Sequence, residues 1–145
     1  MRSFLLGMTI ILATASGAQA EMHEVRMLNR GASGPMVYEP DFLQIAPGDT
    51  VKFLATANGH NAATIEGMVP AGHSGFKGGI NEEIEVTLDR EGFYGIKCSP
   101  HIGMGMVMVV RVGDVPLPEE FPVADVPARA GKRFGEILSR NGFAR

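Results

Sequence analysis

The segment Cys98-Ser99-Pro100-His101-Ile102-Gly103-Met104-Gly105-Met106 places a thiol, an imidazole and two thioethers within nine consecutive residues. A soft thiolate, imidazole nitrogen and a weak axial thioether are the donors a mononuclear electron-transfer copper site requires. Thiolate and thioether favour Cu(I), while imidazole tolerates both oxidation states, so one compromise geometry can serve the whole redox cycle. Cys98 is the single cysteine of 145 residues, which excludes an internal disulfide and an all-cysteine zinc cage within the chain. A lone cysteine is ordinarily a small buried hydrophobe; the histidine three residues on and the nearby methionines change that reading. A second imidazole has to come from elsewhere, and His60, followed by Asn61, is the candidate. Met106 directly follows Gly105 and directly precedes an apolar run, which favours it over Met104 as the axial donor. His73, in a glycine-rich stretch, reads as an exposed loop residue. His23 reads as solvated.

These donors need a scaffold that brings distant loops together. Short apolar or alternating runs over 21–28, 42–46, 50–56, 83–88, 92–97 and 107–112 predict strands. They are separated by Gly, Pro and Asn, as in an antiparallel sandwich. The run 83–88 is the cleanest, with Ile84, Val86 and Leu88 on one face. Asp89-Arg90-Glu91-Gly92 predicts a tight connection. The cysteine loop then lies between two strands, and His60 follows the end of another. The segment beyond Asp114 has a different character: Pro116-Leu117-Pro118 breaks the strand pattern. Asp125 can cap, Pro127 can open a first turn, and Phe134, Ile137 and Leu138 form one apolar stripe of a helix over 128–140. A tail of about thirty residues cannot bury a core of its own, so it packs on the sandwich.

The N-terminus carries Arg2, an apolar run and then Ala18-Gln19-Ala20, the pattern of a secretory leader cut before Glu21. Its apolar core is too short for the ~20 residues of a spanning helix. The expected organisation is therefore a signal peptide over 1–20 and one domain over 21–145, with a helical tail at about 116–143. The formal net charge is −3 for the whole chain, which argues against nucleic acid as a partner. No paired acid–base constellation appears, and four protein donors would leave no open metal position for a substrate, so the chain does not read as an enzyme.

The order His60-Asn61, then Cys98-Ser99-Pro100-His101, four residues and Met106 resembles the cupredoxins, and among them the pseudoazurins. The same loop spacing occurs in plastocyanins. The tail beyond the Met-bearing strand, the His60-to-Cys98 interval and Pro70-Ala71-Gly72 point to the pseudoazurin branch, and the resemblance covers essentially the whole mature chain. It implies a Greek-key β-sandwich of the cupredoxin type with a C-terminal helical extension. It implies one type 1 copper on His60 Nδ1, Cys98 Sγ, His101 Nδ1 and Met106 Sδ. It further implies a soluble, monomeric, periplasmic one-electron carrier without a membrane span. Its transient partners would be redox proteins such as copper nitrite reductase or periplasmic cytochromes. Asn61 can link the two ligand loops through its amide, Ser99 can answer it, and Pro100 removes a backbone donor and stiffens the turn. Met36 contributes to a flat apolar rim around His101. Lys77 and Lys97, extended by Arg30, form a local basic patch that steers an acidic partner. The competing reading is a periplasmic copper-binding or delivery protein without redox turnover, which would use the same soft donors.

Overall fold

The computed structural model describes residues 17, 19–122 and 124–143. The leader expected over 1–20 therefore lies mostly outside the described residues. Among the described residues, eight strands precede one α-helix: β1 Met22–Gly31, β2 Gly34–Glu39, β3 Phe42–Ile45, β4 Asp49–Leu54, β5 Ala63–Thr64, β6 Ile84–Leu88, β7 Gly92–Lys97, β8 Val107–Val112 and α1 Ala128–Arg140. They form two four-stranded sheets, ordered β2-β1-β4-β6 and β3-β8-β7-β5.

The sheets are mixed, which corrects the expectation of an antiparallel sandwich. β1 runs parallel to β4, and β3 runs parallel to β8. Each parallel pair joins strands that are not consecutive, so local spacing gives no sign of it. The remaining neighbours are antiparallel.

Alternation explains the core. Along β4, Asp49, Val51 and Phe53 are buried while Thr50, Lys52 and Leu54 are less so. Val25, Met27, Tyr38, Val51, Phe53, Leu88, Tyr94, Ile96, Met108, Val110 and Val112 meet between the sheets. β8 is apolar on both faces because α1 covers its other side. Val107 and Val109 pack with Phe93 against Ala130, Phe134, Ile137 and Leu138. Such a strand loses its period-2 signature and reads as a continuous apolar run. Arg140, in the last turn of α1, donates to Asp41 at 2.8 Å and ties the helix back to the sandwich.

Two details of the tail differ from expectation. The α-helix covers 128–140, the span its apolar stripe predicts, but the described residues of 116–127 are not helical, because Pro116, Pro118, Pro122 and Pro127 withhold the N–H groups a helix there would need. The N-cap is Pro127 with no side-chain cap bond. Its extended backbone keeps it outside the helix, and Asp125 lies two residues too early to cap.

Candidate metal centre

β1 and β4 run side by side to the same end of the molecule, and the loop after β4 places His60 there. His60 is fully buried, and its carbonyl accepts the amide of Asn81 at 2.8 Å. Its Nε2 donates to Asn29 Oδ1 at 2.7 Å. The amide oxygen only accepts, so the ring proton sits on Nε2 and the Nδ1 lone pair is free.

The cysteine loop closes on itself. Cys98 N donates to Met106 O at 3.0 Å, Met106 N to His101 O at 3.2 Å and His101 N to Cys98 O at 3.1 Å. A single 3₁₀ turn, Ile102–Met104, fills the arc. Gly105 ends it at φ 87, and a Cβ there would also press on Arg129 O at 3.1 Å. Only glycine takes that conformation readily, which is how the chain leaves the turn and brings Met106 to the start of β8. Met106 is fully buried and belongs to the same core cluster as Cys98. Met104 is 42% exposed and borders a surface hollow with Arg129, Lys132 and Arg133; the two methionines thus occupy different environments.

The two loops are joined through Asn61. Its Oδ1 accepts Ser99 N at 2.7 Å, and its Nδ2 donates to Ser99 Oγ at 3.1 Å and Gly78 O at 3.0 Å. Tyr38 Oη donates to Asn61 O at 2.6 Å. Pro100 lies exposed beside this junction.

The result is a triangle of three donor atoms. His60 Nδ1 and His101 Nδ1 are 3.1 Å apart, and Cys98 Sγ lies 3.6 Å from the first and 3.4 Å from the second. First-row metals bind imidazole nitrogen at ~2.0–2.1 Å and thiolate at ~2.3 Å, so three donors around one ion would stand at such separations. His60 and Cys98 are fully buried, while His101 is the half-exposed member. Burial, and then the neighbouring His101, hold the His60 ring below its usual pKa, which keeps it neutral and able to ligate. Burial pushes the Cys98 thiol up, against the opposing pull of the Asn61 and His101 amides. Binding a cation there would deprotonate the thiol. Two nitrogens and a thiol aimed at one point, with the tautomer of one ring set from behind, fit a soft-to-borderline metal ion.

The remaining expected residues fall around this end. Lys77 and Lys97 flank Ala63, which pairs with both; Lys77 is exposed and Lys97 half-buried. Met36 is half-buried on β2 at φ 49 and packs against the core cluster. Two histidines depart from expectation. His23 is half-buried and its Nε2 meets Asp49 Oδ2 at 2.9 Å, because β1 and β4 start together. His73 is also half-buried, edge-on to Tyr94 with ring centroids 5.0 Å apart, and its Nδ1 accepts Gly75 N at 2.8 Å. Asn29 escaped the sequence reading altogether. It lies 31 positions before His60 and meets it only through the parallel pairing.

A family model described as "Copper binding proteins, plastocyanin/azurin family" matches residues 25–113. The pseudoazurin of Paracoccus pantotrophus is 43% identical over 131 residues, covering 90% of this chain and 90% of the relative. The pseudoazurin of Methylorubrum extorquens is 47% identical over 107 residues, covering 74% of this chain and 72% of the relative. A solved pseudoazurin structure from Sinorhizobium meliloti superposes with a TM-score of 0.77 at 38% identity, covering 84% of this chain and 97% of that one. Fold, loop geometry and these relatives agree: the chain belongs to the plastocyanin/azurin family of copper binding proteins and, within it, to the pseudoazurins, which are electron carriers rather than enzymes.

Proposed function

We propose that this chain is an exported, periplasmic carrier of single electrons, with its leader over 1–20 removed and 21–145 folded as one domain. The copper is held by His60 Nδ1, Cys98 Sγ, His101 Nδ1 and Met106 Sδ. The observation that carries this reading is the donor triangle, with edges of 3.1, 3.4 and 3.6 Å. When bound, copper supplies a one-electron Cu(II)/Cu(I) couple in a site that needs little rearrangement. The protein supplies the rest. Asn29 fixes the His60 ring from behind. Asn61 and Ser99 lock the two loops to each other, Pro100 stiffens the turn beside them, and burial of His60, Cys98 and Met106 keeps water out. His101, half-exposed, is the edge through which an electron leaves. The buried donors also weigh against a delivery role, since release would require opening the core end of two loops.

The half-exposed His101 edge, with Met36 on the rim and Lys77 and Lys97 to one side, is the docking face. It fits brief contact with an acidic redox partner such as copper nitrite reductase or a periplasmic cytochrome. Among the described residues no helix is long and apolar enough to cross a membrane. Stopped-flow mixing of the reduced protein with such a partner over a salt series tests this reading. Rim charges act mainly on the association rate, so Lys77→Ala and Lys97→Ala should each slow the second-order step several-fold and flatten its salt dependence. Lys52→Ala, on the opposite sheet from Lys97 and paired there with Glu85 of the neighbouring strand, should leave both unchanged. No slowing with either loop-side variant removes the basic docking face.

A further inference from the structure

At the start of β1 the backbone nitrogen of Glu21 donates to Asp49 Oδ1 at 2.9 Å. Asp49 is only 4% exposed. Its other oxygen takes His23 Nε2 at 2.9 Å and Ala46 N at 3.0 Å. The carbonyl of Glu21 is held as well, accepting Thr50 N at 2.9 Å. Gln19 and Ala20 precede every described strand. Among the described residues, the hydrogen bonds that hold this end of the chain to β4 therefore begin with Glu21, directly after the Ala20–Glu21 bond. This is the same bond that the Ala18-Gln19-Ala20 pattern marks for cleavage.

We propose that removal of the leader completes an ion-pair site, in which the freed α-ammonium of Glu21 enters the Asp49 carboxylate and locks the new N-terminus onto β4. The inference rests on the reading of the chain as an exported protein. In the step, water adds across the Ala20–Glu21 amide under a leader protease. Ala20 leaves with the new carboxylate and Glu21 keeps the nitrogen as an ammonium. The nitrogen keeps its position against Asp49, but a neutral amide becomes a cation. A largely buried carboxylate held in the precursor by two backbone amides and the His23 ring gains the full charge of the chain terminus, and charge-assisted hydrogen bonds are roughly twice as strong as neutral ones. Processing thus strengthens the fold at the place where it cuts. The groups facing the new ammonium are the Asp49 carboxylate, the His23 ring and the Glu21 side chain itself.

The test compares two copper-loaded chains of equal net charge, one beginning at Glu21 and one retaining Ala20 ahead of it. All described strands and the helix lie within 22–140, so both keep the whole fold. Retaining Ala20 moves the positive charge one residue outward, where the chain is exposed. The expected result is a melting temperature lower by about 3–6 °C, with the difference vanishing in an Asp49→Asn background. The α-amine of the Glu21-first chain should also titrate above the ~8 of free amines. Equal melting of the two chains, within a degree, overturns the ion pair, and this comparison stands even where Asp49→Asn fails to fold. The intact mass of protein recovered after export tests the leader separately. A chain beginning at Glu21 supports the proposal, and one beginning elsewhere overturns the processing step.

Discussion

Two histidine corners sit at opposite ends of the same pair of parallel strands, β1 and β4, and they are built on opposite principles. At the strand starts, Asp49 is saturated: Glu21 N, Ala46 N and the His23 ring all face its oxygens. At the other end, His60, Cys98 and His101 point donor atoms at one another from 3.1 to 3.6 Å, while the outward hydrogen bonds go to Asn29 and to the loop amides. The first corner is a finished hydrogen-bond network. The second is finished only by a cation. A cluster of ligand-type residues is therefore read by what its lone pairs face: a hydrogen in one case, another lone pair in the other.

The contrast is sharpest when copper is added. A ligand that binds only the folded state stabilises it by about 3–4 kcal/mol at several hundred times its Kd. The copper-free chain should melt cooperatively, since its two core clusters are complete without metal, and copper should raise the melting temperature in calorimetry. No shift on copper addition would show that the donor triangle is as self-sufficient as the Asp49 corner.

Asp49→Ala removes the acceptor at the strand-start corner. It strands two backbone amides and the His23 ring, a cost of about 1–3 kcal/mol, read as a lower urea midpoint with or without copper. The pH dependence has a definite sign. The Glu21 amide first, then the His23 ring, hold the Asp49 carboxyl below its ordinary pKa. Its contribution is complete above the unfolded value of ~3.9 and is lost as pH falls through the depressed folded value. The variant should therefore lose less stability than the parent on acidification below about pH 4. Parallel acid limbs would show that Asp49 is not a stabilising charge.

Asn29→Ala should have the smallest effect on the fold and a selective effect on the metal. Asn29 is exposed, so copper-free stability should change by less than about 0.5 kcal/mol. Loss of a partner behind a ligating histidine typically weakens metal binding ~10–100-fold. Competition with a copper chelator measures this, and an unchanged affinity would mean that the His60 ring is set by packing alone.

How much of this was legible in the sequence follows from the range of each interaction. Cys98, His101 and Met106 are within one loop, and their spacing displays the chemistry directly. The strands β4, β6, β7 and β8 carry alternating or apolar runs that survive as local signals. β2 does not, because Gly34 and Pro35 at its start read as a turn. The parallel pairings of β1 with β4 and of β3 with β8 are set by the folded sandwich and leave no local mark, and everything that depends on them was hidden. That includes Asn29 behind His60, and His23 on Asp49. The helix over 128–140 was visible in its stripe Phe134, Ile137 and Leu138, and only its cap was not, because Pro127 takes the position that Asp125 suits by residue type.

The donor triangle is read here as holding copper through the Cys98 thiolate. Loading the purified protein with Cu(II) and recording its visible spectrum tests this most directly. A short, covalent bond from Cys98 Sγ to Cu(II) in a site with two imidazoles gives an intense thiolate-to-metal charge-transfer band. The expected result is an intensely blue protein at one copper per chain, bleached reversibly by a one-electron reductant, and a Cys98→Ala variant with no such band. A loaded parent protein showing only weak ligand-field absorption, or a Cys98→Ala variant that stays blue, would contradict it.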